Sequence, residues 1–531
     1  MRSLSVGGSV ACLLLLFGNV ADAAPYKPLH PRYVVHKRRA SAVKEAFQIS
    51  WDGYYKYAFP HDSLRPVSNG HADDRNGWGA SAVDAFSTAL VMENWEVIDQ
   101  ILDYIPTINF DKTDDEVSLF ETTIRYLGGL VSAYDLLTGP LKGQSKQTSS
   151  VSEILRQARH LADNLKVAFN TPSGVPDNSL YFNPPRKGGS STNGIATIGT
   201  LVLEWTRLSD LLNNTEYARL AQKGESYLLH PSPALGEPFP GLLGTNVRLS
   251  DGKFVDSNGG WGGGTDSFYE YLIKMYLYDP KRFGEYRERW IKAANSSIEY
   301  LVSHPTTRPE LTFLAMWRGR TLEFVSEHLA CFNGGNFILG GLTLNEPAYV
   351  QFGLALVDGC HDTYTSTATG IGPEIFAWQD SRHPLNATNN PAPPANQRAF
   401  YNTSGFWIEN GQYVLRPEVI ESYYYAYRAT GDEKYQDWAW EAFQAVTETC
   451  RVGSGYSSIR DVNQPGGGGF HDFQESFWFA EVLKYSYLIH AEDAPWQVKA
   501  DHTNQFVFNT EAHPIRIYGG HEWSKRRWER S

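Results

Sequence analysis

The residues in this chain whose types and spacing could do chemistry are carboxylates. They gather in short segments beside glycine, proline and tryptophan, where helices are expected to begin. In Phe120-Glu121-Thr122-Thr123-Ile124-Arg125, Glu121 and Arg125 are four apart and share a helix face; a plain salt bridge would also account for them. The run Gly260-Trp261-Gly262-Gly263-Gly264-Thr265-Asp266-Ser267-Phe268-Tyr269-Glu270-Tyr271 sets Asp266 and Glu270 at the same spacing. Like charges there repel unless something compensates or one acid is protonated. A simpler role for Asp266 is helix N-cap, worth about 1 kcal/mol. The glycines allow a ligand close to the backbone, but no strand precedes them and no Lys follows, so a phosphate cradle is not expected. In Leu415-Arg416-Pro417-Glu418-Val419-Ile420-Glu421, Pro417 marks a helix start and puts Glu418 and Glu421 on one face; stabilisation of the helix dipole is the plain alternative. The segment from Gly469 to Glu481 adds Glu475 and Glu481 around Phe477, and Asn509-Thr510-Glu511-Ala512-His513-Pro514 adds Glu511, with His513 expected to be structural. Glu374, after Gly372-Pro373, is a further acid expected at a helix start.

Such a surplus suits proton transfer at a glycosidic bond. One carboxylic acid protonates the leaving oxygen while another carboxylate activates water or attacks the sugar. Zinc chemistry is not suggested, since the chain has no Cys-x-x-Cys and no His-Glu-x-x-His. Nor does a Gly-x-Ser-x-Gly elbow lead out of a strand. Aromatic residues are 14% of the 531, a content that suits stacking on sugar faces, and the net charge is −12. A polyanion such as nucleic acid is therefore excluded as a main partner, because binding it needs a basic face. A neutral or cationic substrate, or a metal cation, fits better.

The elements that must position these acids read as helices. An apolar, aromatic-rich helix recurs, followed by a polar turn and an amphipathic helix with a Tyr near its start. It appears at Leu203 to Tyr217, Tyr271 to Tyr286 and Tyr424 to Tyr435, with further apolar segments near Val83, Ile124, Phe337 and Val482. Helices apolar nearly all round are buried and amphipathic ones lie outside them. About seven pairs could close into a ring with the acids at one end, though six or eight pairs fit the same pattern.

The first residues read as an export signal: Arg2, an apolar core from Val10 to Phe17, and Ala21-Asp22-Ala23. Residues 1–23 are assigned as signal peptide, 24–42 as a basic leader and 43–531 as one domain. No later run is long and apolar enough to span a bilayer. The cysteines left after cleavage are Cys331, Cys360 and Cys450, which allow one disulfide. Cys331 with Cys360, near in sequence and in Gly-rich surroundings, is the expected pair, with Cys450 half-buried near a helix end. Sequons at Asn213, Asn295, Asn386 and Asn402 fit a secreted glycoprotein. The expected location is the secretory pathway or outside the cell.

These segments, together with Gly77-Trp78-Gly79, Val83-Asp84, His328-Leu329-Ala330-Cys331-Phe332 and Glu481-Val482-Leu483-Lys484-Tyr485, resemble the motifs of family 47 glycoside hydrolases, the class I α-1,2-mannosidases. The resemblance runs from about Val43 to Tyr518 and is strongest to the secreted fungal type. It implies an all-α (αα)7 barrel, a monomer, and inverting removal of terminal α-1,2-linked mannose from high-mannose N-glycans. It also implies a calcium ion on Thr510, through its hydroxyl and carbonyl, with waters held by Glu418, Glu421, Glu481 and Glu511. Glu418 matches the general base and Glu121 the proposed general acid, acting directly or through a water. Asp266 matches a further essential acid, and Glu374 a substrate-side acid that could be assigned as a proton donor. Arg125, Glu270, His328, Arg416, Glu421, Phe477, Glu481 and Glu511 match the substrate pocket, and Cys331–Cys360 the family disulfide. One position departs. Some relatives carry Arg two residues before the essential Asp, where this chain has Gly264; the smaller residue implies trimming of several branches. A non-catalytic glycan-binding protein of the same fold is the competing reading, and the intact Glu121, Asp266 and Glu418 speak against it. A toroid glycosidase acting on starch or cellulose leaves Asn509-Thr510-Glu511 unexplained.

Overall fold

The computed structural model describes residues 37–519. The signal peptide and most of the basic leader lie outside the described residues.

The chain alternates between an outer and an inner layer of helices. Outer α1 (Lys37–Tyr57) is followed by inner α2 (Ala80–Met92) and outer α3 (Trp95–Tyr104). The next inner rod is α4 (Leu119–Glu121), a π turn (Thr122–Leu127) and α5 (Gly128–Thr138), covered by outer α6 (Thr148–Leu165). Inner α7 (Ile195–Gly199) and α8 (Val202–Leu212) pair with outer α9 (Glu216–Leu229), and inner α10 (Asp266–Tyr278) with outer α11 (Gly284–Ser296). Inner α12 (Phe332–Leu344) pairs with outer α13 (Pro347–Thr365). After a side lobe containing α14 (Arg398–Ser404), inner α15 (Glu418–Thr430) pairs with outer α16 (Lys434–Cys450). A second π turn (Trp478–Val482) and α17 (Leu483–Leu488) complete the inner ring, packing against α1, α2 and α15. Seven inner rods inside seven outer helices make an (αα)7 barrel, as expected, and the first helix starts at Lys37, inside the segment assigned to the leader.

Composition explains the layering. Every residue of α2 and nearly every residue of α15 is buried, so these helices have no solvent face. At the far end of the ring the inner helices turn back sharply: α2, α8, α12 and α15 end on the left-handed residues Glu93, Asn213, Asn345 and Gly431. At the other end the outer-to-inner connections are long. They hold small antiparallel sheets whose strands, among the described residues, reach at most four residues. A minor core of Phe313, Phe324, Phe376, Trp378, Phe406 and Trp407 fills the side lobe. That lobe contains the insertion inferred from Pro391 to Asn396.

One hairpin is different in kind. Phe506–Phe508 pairs with Pro514–Arg516, and residues 506–509 and 511–515 are buried. It packs against α5 and α10 inside the ring, with Tyr518 donating its N–H to the carbonyl of Tyr278 at the far end of α10. The hairpin plugs the barrel axis and carries Thr510 and Glu511 at its tip.

The disulfide joins Cys331, at the start of α12, to Cys360 in α13. Cys450 is fully buried rather than half-buried. A link across 29 residues restricts the unfolded chain by about 3.5 kcal/mol in the loop-entropy account. Cys360→Ala should therefore lose about 3 kcal/mol in urea unfolding.

Candidate active site

The starts of the inner rods converge on a cavity of about 360 Å³. Its walls include the carboxylates of Glu121, Asp266, Glu270, Glu418, Glu421, Glu481 and Glu511, the guanidiniums of Arg125 and Arg416, the ring of Phe477, and Thr510. Segments from Phe120 to Glu511 in sequence thus meet in one place. Such like-charged walls need internal compensation, and each acid finds a different one.

Glu121 ends the short α4, whose first turn is capped by Ser118, the Glu121 N–H donating to Oγ at 3.3 Å. The π turn that follows aims Arg125 back at it. Nε and Nη2 of Arg125 each lie 2.8 Å from Oε2 of Glu121. The same guanidinium donates to Ser476 Oγ at 3.1 Å, pairs with Glu511, and stands 3.5 Å from Asp84. The Phe477 ring lies 5.5 Å from its central carbon. Burial opposes ionisation of Glu121, but Arg125 and Arg75 outweigh it and hold the carboxyl below the usual range.

Asp266 is the first residue of α10, not its N-cap: Thr265 occupies the cap position, and Asp266 Oδ1 accepts from the Ser267 N–H at 2.8 Å. Burial, reinforced by Glu327, Glu270 and Glu418, pushes it up to about 7. Glu270, one turn on, is paired with buried Lys274, which also reaches the carbonyl of Asn509 at 3.3 Å. The repulsion expected between Asp266 and Glu270 is thus answered twice, by a raised acid and by a cation.

Glu418 opens α15. His328 Nδ1 is 2.7 Å from its Oε2, and His328 Nε2 is 2.7 Å from the Tyr364 hydroxyl. Burial would raise Glu418, but His328 and then Arg416 hold it below the ordinary carboxylate range. His328 is buried behind Glu418 and does not line the cavity. Nor does Glu374, which accepts from Arg416 Nε on both oxygens, at 2.9 and 2.8 Å. It precedes the short strand Ile375–Ala377, not a helix.

On the floor, burial and neighbouring acids push Glu421 up to about 8 and Glu481 well above its usual value. Burial also raises Glu511 well above its usual value, against the pull of Arg125. Thr510 donates its N–H to the Tyr271 hydroxyl at 3.1 Å. His513 is structural, as expected: it meets Ser87 at 2.8 Å and Asp84 at 3.4 Å, and burial lowers it to about 4. Among the described residues, no group of three His, Cys, Asp or Glu side chains is placed to chelate an ion directly. Asn213, Asn295, Asn386 and Asn402 are all exposed.

Sequence reasoning passed over Lys274, Glu327 and Arg75. Lys274 could have been found as the residue four after Glu270. Glu327, which accepts from the Gly263 N–H, sits in a short strand with no pattern to mark it.

A ring of paired helices with opposed carboxylates in a pocket at one end defines an acid–base glycoside hydrolase. Comparison with known proteins narrows this. Residues 46–517 match the model of glycosyl hydrolase family 47, and the chain belongs to that family. It is 58% identical over 486 residues to a probable mannosyl-oligosaccharide α-1,2-mannosidase 1B of Aspergillus clavatus, covering 90% of this chain and 93% of that one. The mannosyl-oligosaccharide α-1,2-mannosidase of Penicillium citrinum is 56% identical over 482 residues, covering 91% and 92%. The solved α-1,2-mannosidase from Trichoderma reesei superimposes with a TM-score of 0.89 at 56% identity, covering 91% of this chain and all of that one.

Lys274→Met would strand the buried Glu270 charge and should cost about 3–5 kcal/mol of stability. Adding Glu270→Gln should recover most of it, and a double-mutant cycle by chemical unfolding measures the coupling.

Proposed function

We propose that the protein is an exo-acting mannosidase that removes terminal α-1,2-linked mannose from high-mannose N-glycans with inversion, as a monomer in the secretory pathway. The observation that carries this reading is the opposite displacement of two carboxyls in one cavity. Asp266 is pushed up to about 7 and Glu418 is held below its usual range. Environments that drive two acids apart in this way mark out an acid and a base.

Glu418 is the base. Near neutral pH it is ionised and can take a proton from a water attacking the sugar carbon, while His328, anchored by Tyr364, fixes its orientation. Asp266 still carries a proton near neutral pH and is the donor to the leaving oxygen. Glu121, which the family resemblance assigns as the acid, is kept ionised by two guanidiniums; it works as a carboxylate that orients Arg125 and could pass a proton only after receiving one. Arg416, gripped by Glu374, and Phe477 line the walls against which a sugar would lie.

Calcium fits the floor. Thr510 offers a hydroxyl and a carbonyl beside the buried carboxyls of Glu421, Glu481 and Glu511, a set of hard oxygens. Since no three acids are placed to chelate directly, the ion would be held by Thr510 and by waters that these acids orient. When bound, it supplies an electrostatic anchor for sugar hydroxyls. Gly264 lines the cavity with φ of +87°, and the nearest atom to a Cβ built there would be Thr245 Cγ2 at 3.5 Å. That open wall supports trimming of more than one branch. No described helix is long and apolar enough to cross a membrane.

Incubation with a nine-mannose N-glycan, followed by proton NMR, should show β-mannose released first and several mannoses removed. Release of α-mannose would refute inversion, and binding without release would favour a lectin. A chelator should abolish or slow release. Activity should fall as pH rises through about 7, where Asp266 loses its proton. Asp266→Asn should lower kcat by about 10²–10⁴ and abolish that limb. If Glu121→Gln abolished the limb and Asp266→Asn kept it, Glu121 would be the donor.

A further inference from the structure

A second arginine stands at the Glu121 carboxylate, on a turn wound about a buried acid. Asp62 is fully buried and gathers four donors. Its Oδ2 accepts from the N–H of Arg75 at 2.8 Å and of Gly77 at 2.7 Å. Its Oδ1 accepts from the N–H of Ala80 at 3.0 Å and lies 2.9 Å from the Tyr126 hydroxyl, which is also 2.7 Å from the Arg75 carbonyl. The turn between these contacts needs left-handed backbone at Asn76, Gly77 and Gly79. A Cβ at Gly79 would lie 2.7 Å from the Tyr104 hydroxyl, so the turn can follow only a narrow path. The glycines take that conformation freely, whereas at the non-glycine Asn76 it persists because the surroundings over-determine it.

What the turn presents is Arg75. Nη1 is occupied by Asp74 at 3.0 Å. Nε is buried, has no hydrogen-bond partner, and points to within 3.6 Å of Oε2 of Glu121, the oxygen that Arg125 already holds. A buried N–H left short of a bond is costly, and a charged one more so. Its nearest carboxylate is the one that the proposed reaction uses.

We propose that Arg75 is a positioning residue for Glu121, held by Asp62 so that a second guanidinium acts on that carboxylate. This rests on the mannosidase reading above and extends it. The charged groups that face Glu121 are Arg125 and Arg75 on one side of the balance and Asp84 and Glu511 on the other, while Glu475 and Asp74 draw on the same two arginines. Removing Arg75 leaves one cation to oppose burial and two acids, so Glu121 should gain its proton at higher pH and come to govern the acid limb of the rate profile.

The test is the pH dependence of kcat/KM for mannose release by wild type, Arg75→Gln, Arg75→Lys and Asp62→Asn. Mannose release by the wild type establishes the activity independently. In Arg75→Gln the acid limb should move up by about one pH unit, with the limb near 7 unmoved and kcat/KM at the foot of the acid limb down about tenfold. Arg75→Lys, which restores the charge, should keep the wild-type acid limb. Asp62→Asn should shift the limb as Arg75→Gln does and also lower Tm. A folded Arg75→Gln enzyme whose acid limb overlays the wild type would overturn the proposal, as would equal displacement in Arg75→Lys. An unmoved limb in Asp62→Asn would remove Asp62 from it.

Discussion

The floor of the pocket depends on one buried guanidinium. Arg125 is almost inaccessible, yet it faces Glu121, Glu511 and Asp84, and hydrogen-bonds Ser476. Those partners come from four places: the end of α4, the tip of the axial hairpin, inner helix α2, and the segment before the last π turn. A charge in that position is tolerable only while its counter-charges remain in reach. The ring of helices, the plug and the closing segment are therefore fixed to one another by electrostatics as well as by packing. The π turn at Thr122–Leu127 is the local device that makes this possible. It widens the helix by one residue per turn where Glu121 and Arg125 must meet the cavity, and such bulges are frequent at functional sites.

The axial hairpin solves a problem that a barrel of this kind creates. Seven inner helices enclose a space that short side chains alone would leave open. The plug fills it with Phe506, Phe508 and Ile515 and delivers Thr510 and Glu511 from below. Asn509 ties the tip to the ring, donating to the Ile124 carbonyl at 3.0 Å and to Glu204 at 2.8 Å, while its Oδ1 accepts from the N–H groups of Glu511 and His513. A hairpin that is buried on all sides makes no period-2 pattern, because it has no polar face to alternate with.

That is also why the sequence was legible in some places and not in others. The ring could be read because its inner helices are apolar all round and its outer ones are amphipathic, a contrast visible at Leu203 to Tyr217 and at Tyr424 to Tyr435. Asp266 and Glu418 could be found because they sit at helix starts marked by Gly and Pro, and Glu121 because Arg125 stands four residues on; all three fall in one cavity. Glu374 follows Pro373, which suggests a helix start, but a strand of three residues follows instead. Asp266 is of a type that suits a cap, but Thr265 stands at the cap position. Glu327 and the Asp62 turn carry no local signature. Glu327 meets Gly263 across 64 residues, and Asp62 meets Tyr126 across the same interval besides the N–H groups of Arg75, Gly77 and Ala80, so no helix or strand period marks either.

The cavity shows how one residue type can serve several ends. Seven carboxyls line it, and what separates them is company rather than chemistry. Glu121 has arginines and Glu418 has a histidine with an arginine, neighbours that favour the charged form, and Glu270 is paired with Lys274. Asp266, Glu421 and Glu481 have burial and neighbouring acids, which favour the proton. A divalent cation held on the floor would supply the positive charge that Glu421 and Glu481 lack. The two acids that would handle protons at the sugar, Asp266 and Glu418, thus fall on opposite sides of that division before any ligand arrives. The division is made by the backbone, since it is the order of helix starts around the ring that decides which acid meets which cation.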